Sequence, residues 1–361
     1  MKMRKIVCSF MISVVCFMTA ISGVSATSYD TSKINAAYSK VVEYYKNNNN
    51  LNNADKILAV ESLGLEAESN QFDTSSADLS STSLSKKIVT EVLLGVDPTE
   101  DKKTLESQID ENGNVEGSWG ASSDVWTLYA LYVTSSEKTN LIANKLNDEL
   151  ATHGFCGYEW GGTYYADYDT TGWVIEGLAV VNKEKYATTI NKAIDYIKNN
   201  TTMTTTGWVT ADNVDTQSQV LEGMFAYDTN ALLNDSYTVH PVDCLLNTQL
   251  SDGSFPSGYN AEYTTAEVAK TLGTYKNGSV IIKAKKAYDK MMNPEQPDNT
   301  KPAQPTDTKK DSQSTNKVET TNQKTTSVKT GDETNVVIFV SLSMVSGGLF
   351  LVLRKEYERV H

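Results

Sequence analysis

The sequence predicts an all-α fold built from repeated helix pairs, and three observations lead to this prediction. Four apolar segments recur at a nearly constant spacing, each has its apolar residues at helical intervals, and no segment alternates apolar and polar residues over a useful length. A near-constant period of this size is typical of stacked supersecondary units. Apolar residues at positions i, i+3 and i+4 indicate a helix with one buried face.

The repeat is clearest in the second helix of each pair. Its four copies are SSDVWTLYALYV (122–133), DTTGWVIEGLAVV (169–181), DTQSQVLEGMFAY (215–227) and YTTAEVAKTLGTY (263–275). When Leu131, Leu178, Met224 and Leu272 are superposed, the spacings are 47, 46 and 48 residues. A loop containing Gly and aromatic residues precedes each copy, and an amphipathic helix such as 186–200 precedes the loop. The predicted unit is therefore helix, glycine-rich loop, helix.

Two more helices are predicted upstream, at 52–66 and 83–98. Gly64 and Gly95 are placed at their C-terminal ends, where a left-handed residue is needed. The second helix of each pair is poor in charge and rich in Ala, Gly and Leu, which suits a crowded inner position. The first helix carries Lys, Asp and Asn on one face, as an outer helix would. About five to six such pairs arranged as a ring would form an α/α toroid.

Several segments resemble the repeats of secreted bacterial proteins with prenyltransferase and squalene-cyclase-like toroids. They are DYDTTGWVIEGLAV, NVDTQSQVLEGMFAY, LSKKIVTEVLLGVDP and QLSDGSF, and the resemblance covers roughly residues 35–292. The superfamily includes terpenoid cyclases, protein prenyltransferase β subunits and cobalamin-carrying transcobalamins. The resemblance therefore implies the toroid and leaves several activities open. Through the transcobalamins the resemblance implies a corrinoid as one possible ligand. The absence of a small β domain after the toroid in this sequence weakens that implication.

The N-terminus has the pattern of a secretion signal, assigned to residues 1–26. Lys2, Arg4 and Lys5 precede an apolar stretch, and small residues around Ala26 offer a cleavage site. The repeat domain is then assigned to residues 27–292. A secreted chain of this length is long enough for one large domain with a sizeable core.

The C-terminal part is predicted to have three sections. Residues 293–330 are rich in Thr, Lys and Pro and contain no aromatic residue, which is typical of a disordered stalk. Residues 331–361 contain an apolar stretch at 336–353 that is long enough to span a bilayer as one transmembrane helix. Arg354 and Lys355 would hold its end on the cytoplasmic side.

The segment SVKTGD, followed by the apolar stretch and a basic tail, resembles a sortase sorting signal of Gram-positive bacteria, as in clostridia-like surface proteins. It departs from the commonest LPxTG form, because Ser327 and Val328 stand where Leu and Pro would be. The resemblance implies cleavage between Thr330 and Gly331 and attachment to cell-wall peptidoglycan. The alternative is a single-pass membrane protein with a cytoplasmic C-terminus. Either way, the folded part lies outside the cell.

The composition limits which partners the protein can bind and whether disulfide bonds can hold the fold together. The formal net charge of −13 argues against nucleic acid and anionic membranes as partners. Of four cysteines, Cys8 and Cys16 fall in the signal, so Cys156 and Cys244 remain. Two cysteines do not make a disulfide framework, and both are expected to be buried thiols.

Asp167 and Asp169 are the candidate catalytic residues. The stretch Asp167-Tyr168-Asp169-Thr170-Thr171-Gly172 resembles the acid motif of terpenoid cyclases, but Thr170 and Gly172 replace Asp and Ala. A cyclase acid must stay protonated, which neighbouring carboxylates favour. The alternative is that Asp169 caps the following helix through its ionised carboxylate. The cap is the favoured interpretation, and it predicts a lowered pKa for Asp169.

A zinc site like that of the protein prenyltransferases would need Asp, Cys and His ligands. The only matching pairs are His153 with Cys156 and His240 with Cys244. His153 is predicted to follow one outer helix and His240 to open another, so the two pairs should lie at opposite ends of the ring. No metal site and no disulfide between the two cysteines is therefore expected.

Aromatic and acidic residues gather in three of the repeats, as in carbohydrate sites. The ligand-binding candidates are Trp119, Asp124, Trp126, Glu159, Trp160, Tyr164, Asp167, Asp212 and Asp215. The favoured function is a cell-surface protein that binds a small molecule, glycan or protein without turning it over. The alternative is an extracellular enzyme on the same toroid, either a glycosidase with two carboxylates or a degenerate terpenoid cyclase.

Overall fold

The computed structural model describes residues 29–68, 80–201 and 213–294. Its elements in chain order are α1 (Thr31–Asn47), α2 (Ala54–Ser62), α3 (Ser81–Leu93), α4 (Thr99–Ser107), α5 (Ala121–Val133), α6 (Thr139–His153), β1 (Gly157–Trp160), β2 (Thr163–Ala166), α7 (Tyr168–Asn200), α8 (Val214–Asn234), α9 (Pro241–Leu246), α10 (Ala261–Asn277) and α11 (Val280–Met292). The described chain is mostly helical, which confirms the predicted all-α class.

Several predicted features lie outside the described residues. These are the signal at 1–26, nearly all of the stalk at 293–330, and the sorting signal at 331–361 with its apolar stretch at 336–353. Within the three described ranges, no helix combines the length and the apolar character that crossing a bilayer requires.

All four repeated segments are helical, and their superposed residues are buried. Leu131 and Leu178 are fully buried, while Met224 and Leu272 are at most 2% exposed. The predicted inner segment at 169–181 and the predicted helix at 186–200 both belong to α7. The backbone of Asn182 is not helical (φ −164°, ψ 90°), so it divides the two parts near the predicted position.

The predicted glycine caps of α2 and α3 are confirmed. Gly64 and Gly95 have φ values of 72° and 73°, in the left-handed region that favours glycine. At the first of these ends the Leu65 N–H donates to the Val60 carbonyl at 3.1 Å. The Gly64 N–H donates to the Glu61 carbonyl at 3.2 Å, which completes a Schellman cap.

Six of the helices contact one another in a definite order. In that order α2 contacts α3, α3 contacts α5, α5 contacts α7, α7 contacts α8, α8 contacts α10, and α10 contacts α2. The remaining helices pack on this set: α4 on α3 and α5, α6 on α5 and α7, α9 on α8, and α1 on α9 and α10. The last helix, α11, contacts α2, α3, α5 and α10.

The contacts between α8 and α10 are those of parallel helices. The Thr271 hydroxyl donates to the Ser218 carbonyl at 2.8 Å, and one turn later Thr274 contacts Glu222 at 3.4 Å. The paired residues therefore advance in the same direction along both helices. This agrees with the expectation that the repeated helices run parallel.

The all-helical prediction was wrong in detail, because the described residues of the repeat domain include two short strands. Strands β1 and β2 form an antiparallel hairpin inside a segment predicted as a glycine-rich loop. Its turn is Gly161–Gly162, with φ values of 57° and 78°, as a two-residue hairpin turn of type I′ requires. Tyr and Trp residues on both sides of the turn favour the extended conformation.

Helices α7 and α8 approach each other closely through two glycines. A Cβ atom added to Gly223 would lie 2.3 Å from the Gly172 carbonyl oxygen, and one added to Gly172 would lie 2.5 Å from the Gln219 carbonyl oxygen. These obstacles are backbone atoms, which cannot rotate away. Gly177 holds the same repeat position as Gly223, but its added Cβ would meet side-chain atoms, the nearest being Leu128 Cδ2 at 3.1 Å.

We predict that Gly223→Ala destabilises the fold by about 1–3 kcal/mol, because the added methyl group overpacks the α7–α8 contact. Gly177→Ala is the matched control and should be close to neutral, since alanine's helix propensity offsets a small side-chain adjustment. Urea unfolding of both variants measures the difference in the free energy of unfolding. Equal destabilisation of the two variants would contradict the close backbone contact.

Candidate functional site

Polar side chains line one face of α7, α8 and α10 in three layers. Equivalent repeat positions supply each layer, and steps of four and then three residues separate the layers along each helix, so each set shares a helix face. The first layer is Asp169, Asp215 and Tyr263; the second layer is Trp173, Gln219 and Glu267; the third layer is Glu176, Glu222 and Lys270. In α5 the positions equivalent to the second and third layers hold Trp126 and Tyr129, both buried.

The third layer contains a buried ammonium group. Lys270 Nζ lies 2.9 Å from Glu267 Oε2 and 3.9 Å from Glu222 Oε2, and all three residues are at most 3% exposed. The ammonium also lies 5.5 Å from the centre of the Trp126 ring. A second lysine, Lys86, lies 4.5 Å from the same ring. Burial opposes ionisation of Lys270, but Glu267 and Glu222 outweigh it and raise its pKa.

Glu176 is a buried carboxyl group that contacts two hydroxyl groups. Tyr129 Oη lies 2.9 Å from both the Trp173 carbonyl oxygen and Glu176 Oε2, and its proton can be donated to either acceptor. The Ser279 hydroxyl donates to Glu176 Oε1 at 2.6 Å. Burial raises the pKa of Glu176, while the bond with Ser279, the charge of Lys270 and the bond with Tyr129 oppose this rise.

Every residue of the second layer has a buried polar atom without a protein partner. These atoms are Trp173 Nε1, Gln219 Oε1 and Glu267 Oε1. The other side-chain atoms are engaged: Gln219 Nε2 donates to Glu267 Oε2 at 3.1 Å and contacts Tyr263 Oη at 3.2 Å. A buried polar atom left without a partner is unfavourable, so the second layer combines one unused donor with two unused acceptors.

The structure corrects the assignment of the helix cap. Asp167, not Asp169, is the N-cap of α7, and its carboxylate accepts from the Thr170 N–H at 3.4 Å and the Thr170 hydroxyl at 2.7 Å. Asp169 lies inside the first turn. The predicted cap was misplaced by two residues, because Thr170 supplies both donors to the earlier carboxylate.

The predicted pKa direction for Asp169 was also wrong. Burial raises the pKa of Asp169 well above its ordinary value, and the charges of Asp167, Asp215 and Glu267 raise it further, while a hydrogen bond with Thr216 opposes the change. A carboxyl group in these surroundings binds a proton more readily than the ionised carboxylate of a helix cap does. Burial likewise raises the pKa of Asp167, although its bonds to Thr170 work against this.

A tyrosine from the loop before α10 completes the first layer. Tyr259 Oη donates to Asp215 Oδ2 at 2.6 Å, and its ring is 49% exposed. Asp215 is itself buried. The first turns of α7, α8 and α10 therefore meet, with Tyr259 on their solvent side.

The β1–β2 hairpin presents an aromatic face to solvent. Tyr158 pairs with Tyr165 and Trp160 pairs with Thr163, so these side chains share one face of the hairpin. The rings of Tyr158 and Tyr165 stack with centres 5.8 Å apart. They are 54% and 44% exposed, and Trp160 is 39% exposed. We call Tyr158, Trp160 and Tyr165 the aromatic face.

The opposite side of the hairpin is anchored to the protein. The Tyr164 ring stacks on His153 with centres 4.2 Å apart and on Phe155 at 5.5 Å. Its hydroxyl accepts from the Gly157 N–H at 2.8 Å and also contacts the Glu149 carboxylate. Tyr164 therefore holds the hairpin in place, while its paired residue Glu159 is exposed.

The remaining predicted ligand-binding residues have different surroundings. Trp119 is 84% exposed in the loop before α5. Asp124 is buried, where it binds Lys145 at 2.9 Å and accepts from the Ser118 hydroxyl at 2.6 Å. Trp126 is 3% exposed and packs at 5.9 Å from Trp173. Asp212 lies outside the described residues.

The two His–Cys pairs lie in separate surroundings. His153 is the last residue of α6, and His240 is the N-cap of α9, as the sequence predicted. Cys156 is buried, but Cys244 is only half-buried, so the expectation of two buried thiols was half right. In the described part of the chain, no three His, Cys, Asp or Glu side chains are grouped so that they could hold a metal ion.

Sequence reasoning missed Glu176, Glu222, Glu267 and Lys270. The signal was present, because superposing the repeats aligns Tyr129, Glu176, Glu222 and Lys270 two residues before the buried reference positions.

Comparisons of the chain with protein-family models, with curated proteins and with solved structures found no match.

The surroundings of Glu222 predict that the free energy of unfolding decreases as pH rises. Burial, followed by repulsion from Glu176 and Glu267, raises the pKa of Glu222 well above its ordinary value of 4.5, although Lys270 opposes this. The folded state therefore binds a proton that the unfolded state releases. Its contribution to stability is complete below pH 4.5 and is lost as pH rises through the raised pKa.

Glu222→Gln should remove this contribution to the pH dependence. We expect the variant to be more stable than the wild type at pH 8 and similar at pH 4.5, because the amide is neutral like the protonated acid. The slope of the unfolding free energy should change by at most about 1.4 kcal/mol per pH unit. Thermal unfolding from pH 4 to 8 measures it, with Glu111→Gln as the exposed control. Identical slopes in all three proteins would contradict a protonated Glu222.

Proposed function

We propose that this chain is an extracellular binding protein on an α/α toroid of about five to six helix pairs. Three observations support the toroid: the repeat period, the resemblance of the repeat motifs, and the packing order in which α10 returns to α2. In this arrangement α2, α3, α5, α7, α8 and α10 would be the inner helices. The loops before α5, α7 and α10 would then lie at one end.

The aromatic face of the hairpin carries the proposal of binding. A cluster of exposed aromatic side chains on an anchored hairpin marks an interaction site, because such patches are unusual on a monomer's surface. The faces of Tyr and Trp rings offer flat apolar area, while their hydroxyl and N–H groups remain able to form hydrogen bonds. Pyranose sugars present flat C–H faces ringed by hydroxyl groups, which suits these rings.

The proposed ligand is therefore an uncharged glycan. Exposed Glu159 lies on the opposite side of the hairpin, with Tyr164, so the exposed Thr163 hydroxyl is the polar group that can form hydrogen bonds with a sugar on the aromatic face. The net charge of −13 disfavours polyanionic glycans. Trp119 stands directly before α5 as the hairpin stands directly before α7, so the toroid would bring this exposed ring to the same end.

We expect the double variant Tyr158→Ala/Tyr165→Ala to weaken glycan binding about tenfold or more, which corresponds to about 1.4 kcal/mol. A glycan array with the full chain identifies the ligand, and calorimetry measures the change. Both rings are exposed, so the melting temperature should hardly change. Leu250→Ala removes a similarly exposed apolar side chain elsewhere and is the control. Unaltered affinity in the double variant would exclude the hairpin as the binding face.

We propose further that the protein is displayed on the wall of a Gram-positive cell. The motif that resembles a sorting signal and the predicted apolar stretch at 336–353 support this location. Thr330→Ala should then shift the protein from the wall fraction to the membrane or the medium. Fractionation after digestion of the wall with a muralytic enzyme tests this, and unchanged wall attachment of the variant would contradict it.

A further inference from the structure

We propose that the side chains of the first and second layers together form a binding site for a small amino alcohol, meaning a primary ammonium group with a neighbouring hydroxyl. The site is independent of the aromatic face and of glycan binding. Acidic groups without a cation, together with the three unpartnered atoms of the second layer, point to this ligand.

The first layer lacks a positive charge. Asp167, Asp169 and Asp215 lie close enough for their charges to interact, yet none of them forms an ion pair with a lysine, arginine or histidine of the described residues. The nearest buried ammonium, Lys270, is already bound to Glu267. A cation entering here would gain from carboxylates in a medium of low effective dielectric constant.

The second layer supplies independent evidence for a ligand. Gln219 and Glu267 are 1% and 0% exposed, and each has one acceptor oxygen without a donor. They lie one helical turn below Asp215 and Tyr263, on the same helix faces. An ammonium group carries three N–H donors, so it can serve both oxygens and a carboxylate of the first layer.

The N–H donor of Trp173, which has no acceptor, indicates that the ligand also carries a hydroxyl group. Trp173 Nε1 is buried without an acceptor, one turn below Asp169. A bare ammonium group has no lone pair to offer it. A hydroxyl oxygen next to the ammonium accepts from Trp173 and can also donate, so an amino alcohol matches all three unpartnered atoms. Tyr259, which is half-exposed over Asp215, would form the outer wall.

Ligand binding should release a proton. Burial and the neighbouring carboxylates raise the pKa of Asp169, and an adjacent ammonium group would favour its ionised form. The titratable groups that face Asp169 come from α8, α10 and the loops before α7 and α10: Asp167, Asp215, Tyr259, Tyr263 and Glu267. Burial and nearby carboxylates raise the pKa values of both tyrosines, so the released proton comes from a carboxyl group.

The first test uses three probes of similar size. Calorimetry of the full chain at pH 7 should show saturable binding of ethanolamine, at least tenfold weaker binding of ethylammonium, and no binding of ethylene glycol. A ligand of about four heavy atoms should have a Kd no tighter than about 0.05 mM. Ethanolamine titrations in two buffers with different ionisation enthalpies should reveal proton release. Absence of saturable ethanolamine binding means that the layer holds water only, and it would overturn the proposal.

The second test uses variants with matched controls. Asp169→Asn and Asp215→Asn should each weaken ethanolamine binding at least tenfold, and Asp169→Asn should also abolish most of the proton release. Glu111→Gln removes the same charge from the exposed surface and should change the affinity less than twofold. Trp173→Phe should weaken ethanolamine and leave ethylammonium unchanged. If Asp169→Asn and Asp215→Asn weakened ethanolamine binding no more than Glu111→Gln does, the effect would be a general one of charge and would contradict the proposal. Glycan binding should be unaffected in either case.

Discussion

The buried ammonium of Lys270 is the constraint on which the interior depends. An ammonium group removed from water is stable only when a carboxylate and further polar contacts compensate for its lost hydration. Glu267, one turn earlier on the same helix, lies 2.9 Å away, and the Trp126 ring offers its face. Removing one partner of such a pair typically costs about 3–5 kcal/mol, because the other charge remains buried. The ion pair itself lies within α10, while the contacts of its ammonium group with the Trp126 ring at 5.5 Å and with Glu222 at 3.9 Å link α10 to α5 and α8.

One ammonium cannot balance the carboxyl groups around it. Glu267 takes the direct contact with Lys270. Burial raises the pKa of Glu176, and burial together with repulsion from Glu176 and Glu267 raises the pKa of Glu222 well above its ordinary value, although Lys270 opposes both changes. The hydroxyl groups of Tyr129 and Ser279 contact Glu176 and oppose the rise of its pKa, and Ser279 lies at the start of α11. Helix α11 is therefore coupled to the protonation state of the third layer, as well as to the apolar surfaces that it covers.

The helices were predictable because their signals are local. Apolar spacing identified the repeated helices, and Gly64 and Gly95 identified two helix ends, since only a left-handed residue closes such a cap. The hairpin was missed because its strands have four residues each, too few for alternation to stand out. Asp167 and Asp169 could not be distinguished, because both are good caps and the position of Thr170 decides between them. The buried charges required the repeats to be compared column by column, since a single helix does not reveal its partners.

Stability alone does not account for the polar interior. Buried ion pairs replaced by well-packed apolar side chains often leave a protein equally or more stable, and unpartnered buried atoms add a further cost. In this chain such atoms occur in all three members of the second layer, directly below the acids of the first. Buried polar atoms without hydrogen-bond partners are expected at functional sites rather than in structural cores. The layers thus have the character of a site built into the fold, whereas the aromatic face is a separate surface held outside it by Tyr164.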